Sequence, residues 1–412
     1  MGSFYEKLRE YAALLVRVGS AVQPGQSVAL TAPVAAAELA RLCAEECYAV
    51  GASDVILNWR DDQISRLRYL HADDALFDTV YDWQVSLYNM FANKKFAMLY
   101  ITGSDPENLK GVDPKRLQRT EIASGERLKK FYTAQMASDI QWCIGAFAIP
   151  SWARKVFPDL AEDEAVSKLW DAIFTCCRIS GDGTAVARWQ AHADEQKVRL
   201  RKLNELQFDH LIYQNSLGTD LRVALPAHHI WGGATELAGT GVEFIPNMPT
   251  EEIFTAPRRD GVDGVVYSAM PLILNGNVVD RFRLRFEKGV VVEAHAEVGE
   301  EYLISSLDTD EGARRLGEVA LVPYSSPIRE SGVLFYNTLF DENASCHFAY
   351  GRAYPLCVEG AAALSEEEQM ELGLNQSHTH VDFMVGTPDL SIVGVQADGT
   401  RVDIFRNGSW AL

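Results

Sequence analysis

The N-terminal part of the chain alternates between strand-like and helical patterns, and this alternation limits the architectures open to it. A short apolar strand is predicted over Ser27–Leu30, an Ala/Leu/Glu-rich helix over Ala35–Val50, and a second strand over Asp54–Trp59. A helix between two strands of one sheet requires a crossover connection, which is right-handed and joins parallel strands. Further strands of this type are predicted at Phe96–Ile101 and Gln141–Ala148. The N-terminal half is therefore predicted to be α/β with a mainly parallel sheet.

Short segments with alternating apolar and polar residues dominate the chain from His210 onward, which is typical of antiparallel sheets. In VVDRFRLRFEKGVVVEAHAE, Lys288 and Gly289 separate two alternating runs and predict a β-hairpin. The pattern changes near residues 181–183, and a chain of 412 residues is too long for one ordinary core. We therefore predict an N-terminal α/β domain over residues 1–182 and a sheet-rich α+β domain over residues 183–412.

The charge and the cysteines restrict the partners and the compartment. A net charge of −19 argues against binding to nucleic acid or to an anionic membrane, since both require a positive surface. The chain contains no run of eighteen apolar residues, and its N-terminus predicts an amphipathic helix rather than a signal peptide. Its seven cysteines are scattered and form no CxxC pair. We therefore expect a cytoplasmic protein with buried, reduced thiols.

Residues 378–386 (HTHVDFMVG) predict a β-strand with one polar face. Apolar side chains at positions 381, 383 and 385 alternate with His378, His380 and Asp382, so that the polar set shares one face. Imidazole nitrogen and carboxylate oxygen are ligands that zinc, cobalt and manganese share. The upstream cluster DENASCH adds Glu342 and His347. Each pair by itself is also explained by surface side chains, so a metal site needs support from other segments.

Two further acidic segments are open to two interpretations. In NMPTEEIFTAP the residues favour a helix that Thr250 caps, with Glu251 and Glu252 in its first turn. In RRLGEVALVPY, Glu318 lies among apolar residues. It is either a lone glutamate on the solvent side of a short element or a buried carboxylate that is paired or metal-bound.

Five motifs occur in one order along essentially the whole chain: QPGQSVALTAP in the first half, then NMPTEEIFTAP, GEVALVPY, LFYNTLFDENASCHFAYGRAYP and HVDFMVG in the second. In these motifs the chain resembles the thermophilic aminopeptidase T/aminopeptidase S family of dimetal metallo-aminopeptidases. The resemblance implies a homodimeric enzyme that removes N-terminal residues from short peptides with two divalent metal ions (Zn, Co, Mn or Mg). It also implies that the C-terminal domain is the metal-binding, catalytic one.

The resemblance implies a set of metal ligands: Glu252, Glu318, Glu342, His347, His380 and Asp382. The family pattern favours Glu252 over Glu251, whereas the residues alone do not separate the two. His378 matches no motif position and is expected outside the ligand set. The four carboxylates would balance the charge of two divalent cations. One carboxylate must bridge the two ions, and we favour Glu318 over Asp382 for this role.

The mechanism that we expect involves three more assignments. One metal ion binds the substrate's α-amine, and the pair lowers the pKa of a bridging water towards about 7. Glu251 or Glu318 takes the proton of this water and passes it to the leaving amine. The Tyr354 hydroxyl stabilises the oxyanion, although without the resemblance the residues favour a core aromatic at this position.

Other functions remain open. A dimetal dipeptidase, carboxypeptidase or other amidohydrolase would use the same ligands, and a carboxypeptidase would add an arginine or a lysine for the substrate carboxylate. The candidates are Arg258, Arg259, Arg329 and Arg352. A non-catalytic metal- or peptide-binding protein is a further alternative. A nucleophilic serine has no GxSxG motif to support it, and neighbouring Cys346 and His347 would face opposite sides of a strand.

Overall fold

The structure is a computed structural model that describes residues 2–274 and 277–412. The chain forms two compact units. The first comprises the chain up to His192 together with Thr235–Pro249, and the second comprises Ala193–Ala234 and Thr250–Leu412. The return of residues 235–249 to the first unit was not anticipated from the sequence. The domain boundary after residue 182 stays a prediction.

The helices of the described residues are α1 Phe4–Leu14, α2 Ala37–Ala49, α3 Asp62–His71, α4 Asp82–Asn93, α5 Pro114–Arg127, α6 Lys129–Met136, α7 Pro150–Val156, α8 Glu162–Cys176, α9 Ala185–Leu206, α10 Glu300–Leu307, α11 Pro327–Glu330, α12 Thr338–Asp341 and α13 Glu366–Glu371.

The strands are β1 Ser27–Pro33, β2 Asp54–Arg60, β3 Ala97–Thr102, β4 Trp142–Ala146, β5 Phe208–Gln214, β6 Asp220–Ala224, β7 Gly232–Gly233, β8 Glu236–Leu237, β9 Glu243–Phe244, β10 Ile253–Thr255, β11 Val262–Tyr267, β12 Leu272–Leu274, β13 Asn277–Glu287, β14 Val290–Val298, β15 Leu316–Leu321, β16 His347–Gly351, β17 His380–Met384, β18 Ser391–Gln396, β19 Arg401–Arg406 and β20 Ser409–Trp410.

The first unit is built on a four-stranded parallel sheet of order β2-β1-β3-β4. Helix α1 packs closely on this sheet. The buried Tyr11 hydroxyl of this helix accepts a hydrogen bond of 2.8 Å from the Ala146 amide of β4. Gly145 permits the approach, since a Cβ atom there would lie 2.5 Å from the Leu15 side chain. The α/β architecture with a parallel sheet is confirmed.

Residues 235–249 belong to the first unit because they bond to its edge strand. The Ile144 amide donates to the Pro246 carbonyl at 2.7 Å, and the Met248 amide donates to the Ile144 carbonyl at 2.9 Å. The short strands β8 and β9 pair with each other within this segment. Backbone groups at the edge of β4 thereby gain partners that the sequence pattern did not indicate.

The second unit is rich in antiparallel sheet, as predicted. A nine-stranded sheet has the order β12-β13-β11-β6-β5-β18-β19-β20, with β14 also paired to β13. A five-stranded sheet has the order β17-β16-β15-β10-β7. The hairpin between β13 and β14 is confirmed: Lys288 and Gly289 have φ values of 48° and 79°, which suit a type I′ turn.

One apolar core lies between the two sheets of the second unit. Phe348 of the five-stranded sheet contacts Tyr213 of the nine-stranded sheet, with ring centroids 4.9 Å apart. Phe383 and Phe282 form a second contact of this kind at 5.5 Å. The apolar faces of both sheets are therefore used for the core, and the opposite face of the five-stranded sheet carries its polar side chains.

All seven cysteines lie within the described residues and are buried thiols outside any disulfide, as predicted. Among the helices of residues 2–274 and 277–412, none is both long enough and apolar enough to cross a bilayer.

The shared core predicts a large cost for truncating Phe348. This residue is fully buried between the two sheets, so Phe348→Ala is expected to lower the free energy of unfolding by about 3–5 kcal/mol. Urea denaturation followed by circular dichroism measures the change. Tyr302→Ala, at a 41% exposed aromatic on α10, serves as the control and should change stability by less than about 0.5 kcal/mol. Equal stability of the two variants would contradict the proposed core.

Candidate metal centre

One face of the five-stranded sheet gathers the polar residues of four motifs. In its register Glu318 and Asp382 both lie opposite Ala349, one on each side. His380 lies opposite Gly351 in the same ladder. Directly opposed residues of antiparallel strands point to the same face of a sheet. The ladder therefore brings side chains that are far apart in the sequence onto one surface.

Alternation along each strand separates this surface from the core. Val319 and Leu321 of β15 are fully buried in the shared core, as are Phe348 and Phe383 of the neighbouring strands. A shift of one residue in any of these strands would place charged groups in that core. The apolar residues therefore determine the orientation of the polar ones.

Small residues leave room for the polar side chains. Ala349 lies between Glu318 and Asp382, and Ala320 lies between Phe254 and His347. Neither alanine was among the predicted site residues. The alternation of Glu318 with Ala320 in GEVAL is the signal that could have identified them.

A β-bulge lies next to Glu318. The register between β15 and β16 shifts between Leu316 and Glu318, which leaves Gly317 as the extra residue. Only glycine fits here, because a Cβ atom would lie 2.4 Å from the Arg352 carbonyl and 2.5 Å from the Gly351 carbonyl. Bulges of this kind turn a side chain towards a site.

Glu318 lies between two histidines. One carboxylate oxygen, Oε1, is 3.6 Å from His347 Nε2, and the other, Oε2, is 3.4 Å from His380 Nε2. Glu318 is only 5% exposed. The interpretation of Glu318 as a lone glutamate on the solvent side is therefore wrong, because β15 is an interior strand of the sheet.

Glu318 is shared by two groups of three side chains whose ligand atoms lie within 4.8 Å of one another. The first group adds Glu252 and His347, and the second adds His380 and Asp382. In the first group, His347 Nε2 is 3.3 Å from Glu252 Oε2. In the second, His380 Nε2 is 3.4 Å from Asp382 Oδ1. Five of the six predicted ligands thus converge.

Glu342, the sixth predicted ligand, lies outside both groups but close to them. Burial and the neighbouring charges of Glu252 and Asp382 raise its pKa well above the usual value. Its position follows from a short 3₁₀ turn over Glu342–Ala344, directly before β16.

The predicted helix cap at Thr250 is wrong. No helix begins there; Glu251 and Glu252 lie in an extended segment that leads into β10. Strand β10 pairs with β15, and the Glu251 amide donates to Asn343 Oδ1 at 2.7 Å. These tertiary bonds override the local preference for a capped helix. Glu251 itself is buried and lies outside both three-residue groups.

Backbone carbonyls orient both imidazoles. His347 Nδ1 lies 3.2 Å from the Ser345 carbonyl, and His380 Nδ1 lies 2.8 Å from the Arg352 carbonyl. A carbonyl only accepts, so each Nδ1 carries the proton and donates it. Each Nε2 is then directed towards the carboxylates, which is the arrangement found in metal-binding histidines.

The charges of the cluster shift its pKa values strongly. Burial by itself lowers the pKa of His347, but Glu252 and Glu318 outweigh burial and raise it well above its usual value. The pKa of His380 is likewise raised, because Asp382 and Glu318 outweigh burial. Burial alone would raise the pKa of Glu318, yet the two histidines lower it to about 2.

The negative charges of the carboxylates Glu252 and Glu318 repel each other. Burial is the main cause that raises the pKa of Glu252, and the charges of Glu318 and Asp382 add to it against the opposite effect of His347. Buried acids that repel one another are stabilised by a cation. Carboxylate oxygen and imidazole nitrogen are also the donors that Zn, Co and Mn bind. The residues present therefore fit a divalent metal centre.

Tyr354 lies beside the cluster. Its ring centroid is 5.1 Å from that of His380 and 6.0 Å from that of Phe254. Burial raises the pKa of Tyr354 well above 10, and the charges of Glu318 and Asp382 raise it further. The hydroxyl therefore keeps its proton at neutral pH and can act as a donor.

Two residues in or next to the motifs, His378 and Cys346, lie outside the cluster of candidate ligands. The His378 amide donates to Asp310 Oδ2 at 2.6 Å, and this exposed residue belongs to neither three-residue group. The Cys346 thiol donates to the Val322 carbonyl at 3.3 Å, and burial raises its pKa to about 12. A thiol of this kind is not a nucleophile at neutral pH.

Comparisons with known proteins identify the family of the chain. The family model described as thermophilic metalloprotease (M29) matches residues 4–410. The chain is 44% identical to aminopeptidase AmpS of Bacillus subtilis (strain 168) over 411 residues, which covers 100% of both chains. It is 42% identical to aminopeptidase T of Thermus aquaticus over 412 residues, again covering 100% of both.

A solved structure shows the same fold. Wild-type AmpT from Thermus thermophilus superposes with a TM-score of 0.92 at 40% identity, covering 100% of each chain. The resemblance in the motifs and the predicted fold class are thereby confirmed. With a match over nearly its whole length, the chain belongs to the thermophilic metalloprotease (M29) family and is an enzyme, a hydrolase of the exopeptidase type.

Proposed function

We propose that the protein is an aminopeptidase that removes the N-terminal residue of short peptides with two divalent metal ions. The observation that carries this proposal is the position of Glu318, whose two oxygens face the histidines of two different three-residue groups. A carboxylate in this position is suited to bridge two cations. The names of the relatives support the choice of an aminopeptidase.

The ligands divide between the two ions. Glu252 and His347 would hold one ion, His380 and Asp382 the other, and Glu318 both. Glu342 would complete the first group, since its pKa responds to the charge of Glu252 more than to any other charged group. When bound, divalent ions such as Zn, Co, Mn or Mg supply Lewis-acid activation of water and of the substrate carbonyl.

The remaining roles fall to two side chains. The Tyr354 hydroxyl would donate a hydrogen bond to the oxyanion, because its raised pKa keeps the proton on the phenol at neutral pH. Glu251 accepts the proton of the attacking water and passes it to the leaving amine. Glu251 fits this role better than Glu318, because the two oxygens of Glu318 already face His347 and His380.

Among the alternatives, a carboxypeptidase is the one that needs a further cation for the substrate. Three of its four candidate arginines have other partners. Arg258 is paired with Asp260 at 2.7 Å and Arg352 with Glu366 at 3.1 Å. Arg329 donates to the Tyr324 hydroxyl at 2.8 Å. The fourth candidate, Arg259, has a buried Nε atom without a hydrogen-bond partner among the described residues, so the choice of an aminopeptidase rests on the names of the relatives.

We also propose that the protein is a homodimer, which the resemblance in its motifs implies, and that it acts in the cytoplasm, which its buried thiols favour. Both proposals are independent of the site. Sedimentation velocity of the purified protein measures the oligomeric state, and a monomer at micromolar concentration would contradict the first of them.

A blocked peptide tests the aminopeptidase directly. The metal-loaded protein is expected to release the first residue from a free tripeptide and to leave its N-acetylated form intact, because an acetylated nitrogen no longer binds as an amine. Mass spectrometry of the products, together with metal analysis of the protein, decides the question. Cleavage of the acetylated peptide at a comparable rate would reject exopeptidase action at the N-terminus.

Tyr354→Phe tests the oxyanion donor. The substitution removes one hydroxyl and is expected to lower kcat by about 10²–10³ with little change in bound metal. Steady-state kinetics and metal analysis measure the two effects. Tyr324→Phe is the matched control, because its hydroxyl bonds to Arg329 outside the cluster. If both variants retained wild-type kcat, Tyr354 would be a packing residue only.

Metal binding at neutral pH is expected to release protons. In the metal-free protein the neighbouring carboxylates raise the pKa of His347 and of His380 well above the ordinary histidine value, which favours the protonated imidazoles. An imidazole must be neutral to bind a metal through Nε2. Each histidine should therefore lose a proton, and metal affinity should rise with pH.

Calorimetric titration of chelator-stripped protein with Zn²⁺, in buffers of different ionisation enthalpy, counts the released protons. His347→Ala should reduce the count, whereas His378→Ala, at an exposed histidine outside the cluster, should leave it unchanged. Binding at pH 7 without proton release would show that these imidazoles are not ligands.

A further inference from the structure

Two of the proposed ligands lie outside the sheet that holds the others. Glu318, His380 and Asp382 are within strands, so ladder hydrogen bonds determine where they lie. Glu252 precedes β10, and Glu342 is in a 3₁₀ turn. Two carboxylates that repel each other need another constraint on their separation.

The side-chain amide of Asn343 connects the two segments. Its Oδ1 accepts a hydrogen bond of 2.7 Å from the amide of Glu251, 92 residues away in the chain. Its Nδ2 donates to the Leu339 carbonyl at 3.3 Å and makes a longer contact of 3.5 Å with Glu342 Oε1. One planar group therefore contacts the backbone beside Glu252 and the side chain of Glu342.

The surroundings determine the orientation of this amide. Asn343 is 0% exposed, its oxygen faces an N–H group, and its nitrogen faces two oxygen atoms. Rotating the amide by 180° would place an acceptor against acceptors and a donor against a donor. Such a mismatch is unfavourable in a buried site, because each lost partner leaves a desolvated polar group without a hydrogen bond.

The turn that carries Asn343 is itself anchored. The Asp341 carboxylate accepts hydrogen bonds from the Phe335 amide at 2.8 Å and the Asn337 amide at 2.9 Å. The Ser326 hydroxyl donates to the Ala344 carbonyl at 3.2 Å. A turn held on both sides can transmit the position of Asn343 to its neighbours.

We propose that Asn343 is a positioning residue of the metal centre, which sets the distance between the Glu252 and Glu342 carboxylates. The proposal rests on the metal centre described under the proposed function. It goes further, because it predicts that one metal ion depends on Asn343 and the other does not. The group of Glu318, His380 and Asp382 has no contact of this kind with Asn343.

The test compares Asn343→Ala with Asn204→Ala. Asn204 is a matched control in the same unit: its Oδ1 accepts from the Trp231 amide at 2.8 Å, and its Nδ2 donates to the Trp231 carbonyl at 3.1 Å, away from the cluster. Chelator-stripped proteins are titrated with Zn²⁺ by calorimetry and with Co²⁺ by visible absorption. Thermal melting of each metal-free variant measures the general loss of stability.

In Asn343→Ala one metal equivalent is expected to bind about 10–100-fold more weakly, while the second keeps its affinity. Asn204→Ala should melt earlier with both affinities unchanged. If Asn343→Ala bound both ions as wild type does, the positioning role would be rejected and the metal centre retained. A wild-type protein that bound no metal would instead reject the metal centre itself, and the positioning role with it.

Asn343→Asp covers the case in which the alanine variant does not fold. It keeps an oxygen for the Glu251 amide but places an anionic oxygen against Glu342. The repulsion should displace Glu342, so one metal equivalent should again bind more weakly although the site has gained negative charge. Affinity equal to or higher than that of the wild type would overturn the proposal.

Discussion

The contact on which the rest of the site depends is a buried carboxylate between two imidazoles. Glu318 is nearly inaccessible, and each of its oxygens faces a different histidine. An isolated carboxylate in this position would be expensive to bury, but two adjacent cations or protonated histidines offset that cost. The lowered pKa of Glu318 and the raised pKa values of His347 and His380 are two sides of this same interaction.

The face of the five-stranded sheet that points away from Glu318 makes this arrangement possible. Val319, Phe348 and Phe383 fill the core that the two sheets share, and their burial determines the register of β15, β16 and β17. Alternation then directs Glu318, His380 and Asp382 to the other side. Stability and chemistry are thus divided between two faces of the same strands, with alanines leaving room for the polar groups.

Much of the fold and most of the cluster followed from local pattern. The period of two in HVDFM predicted both the strand and the common face of His380 and Asp382, and the Lys288-Gly289 pair predicted the hairpin. The segment at Thr250 was predicted wrongly as a capped helix, because pairing with β15 and a bond to Asn343 outweigh the local preference. The place of residues 235–249 was missed for the same reason, since distant hydrogen bonds determine it.

The sequence by itself determined the class of each half, the polar face of the last motif and, through five ordered motifs, the family. Tertiary structure alone decided that Glu318 is buried, that one oxygen faces each histidine, and that Asn343 joins segments 92 residues apart. The physical reason is the distance along the chain over which each kind of interaction acts. Alternation and turn preference act between neighbours in the chain, whereas burial and electrostatic pairing depend on which segments meet in space.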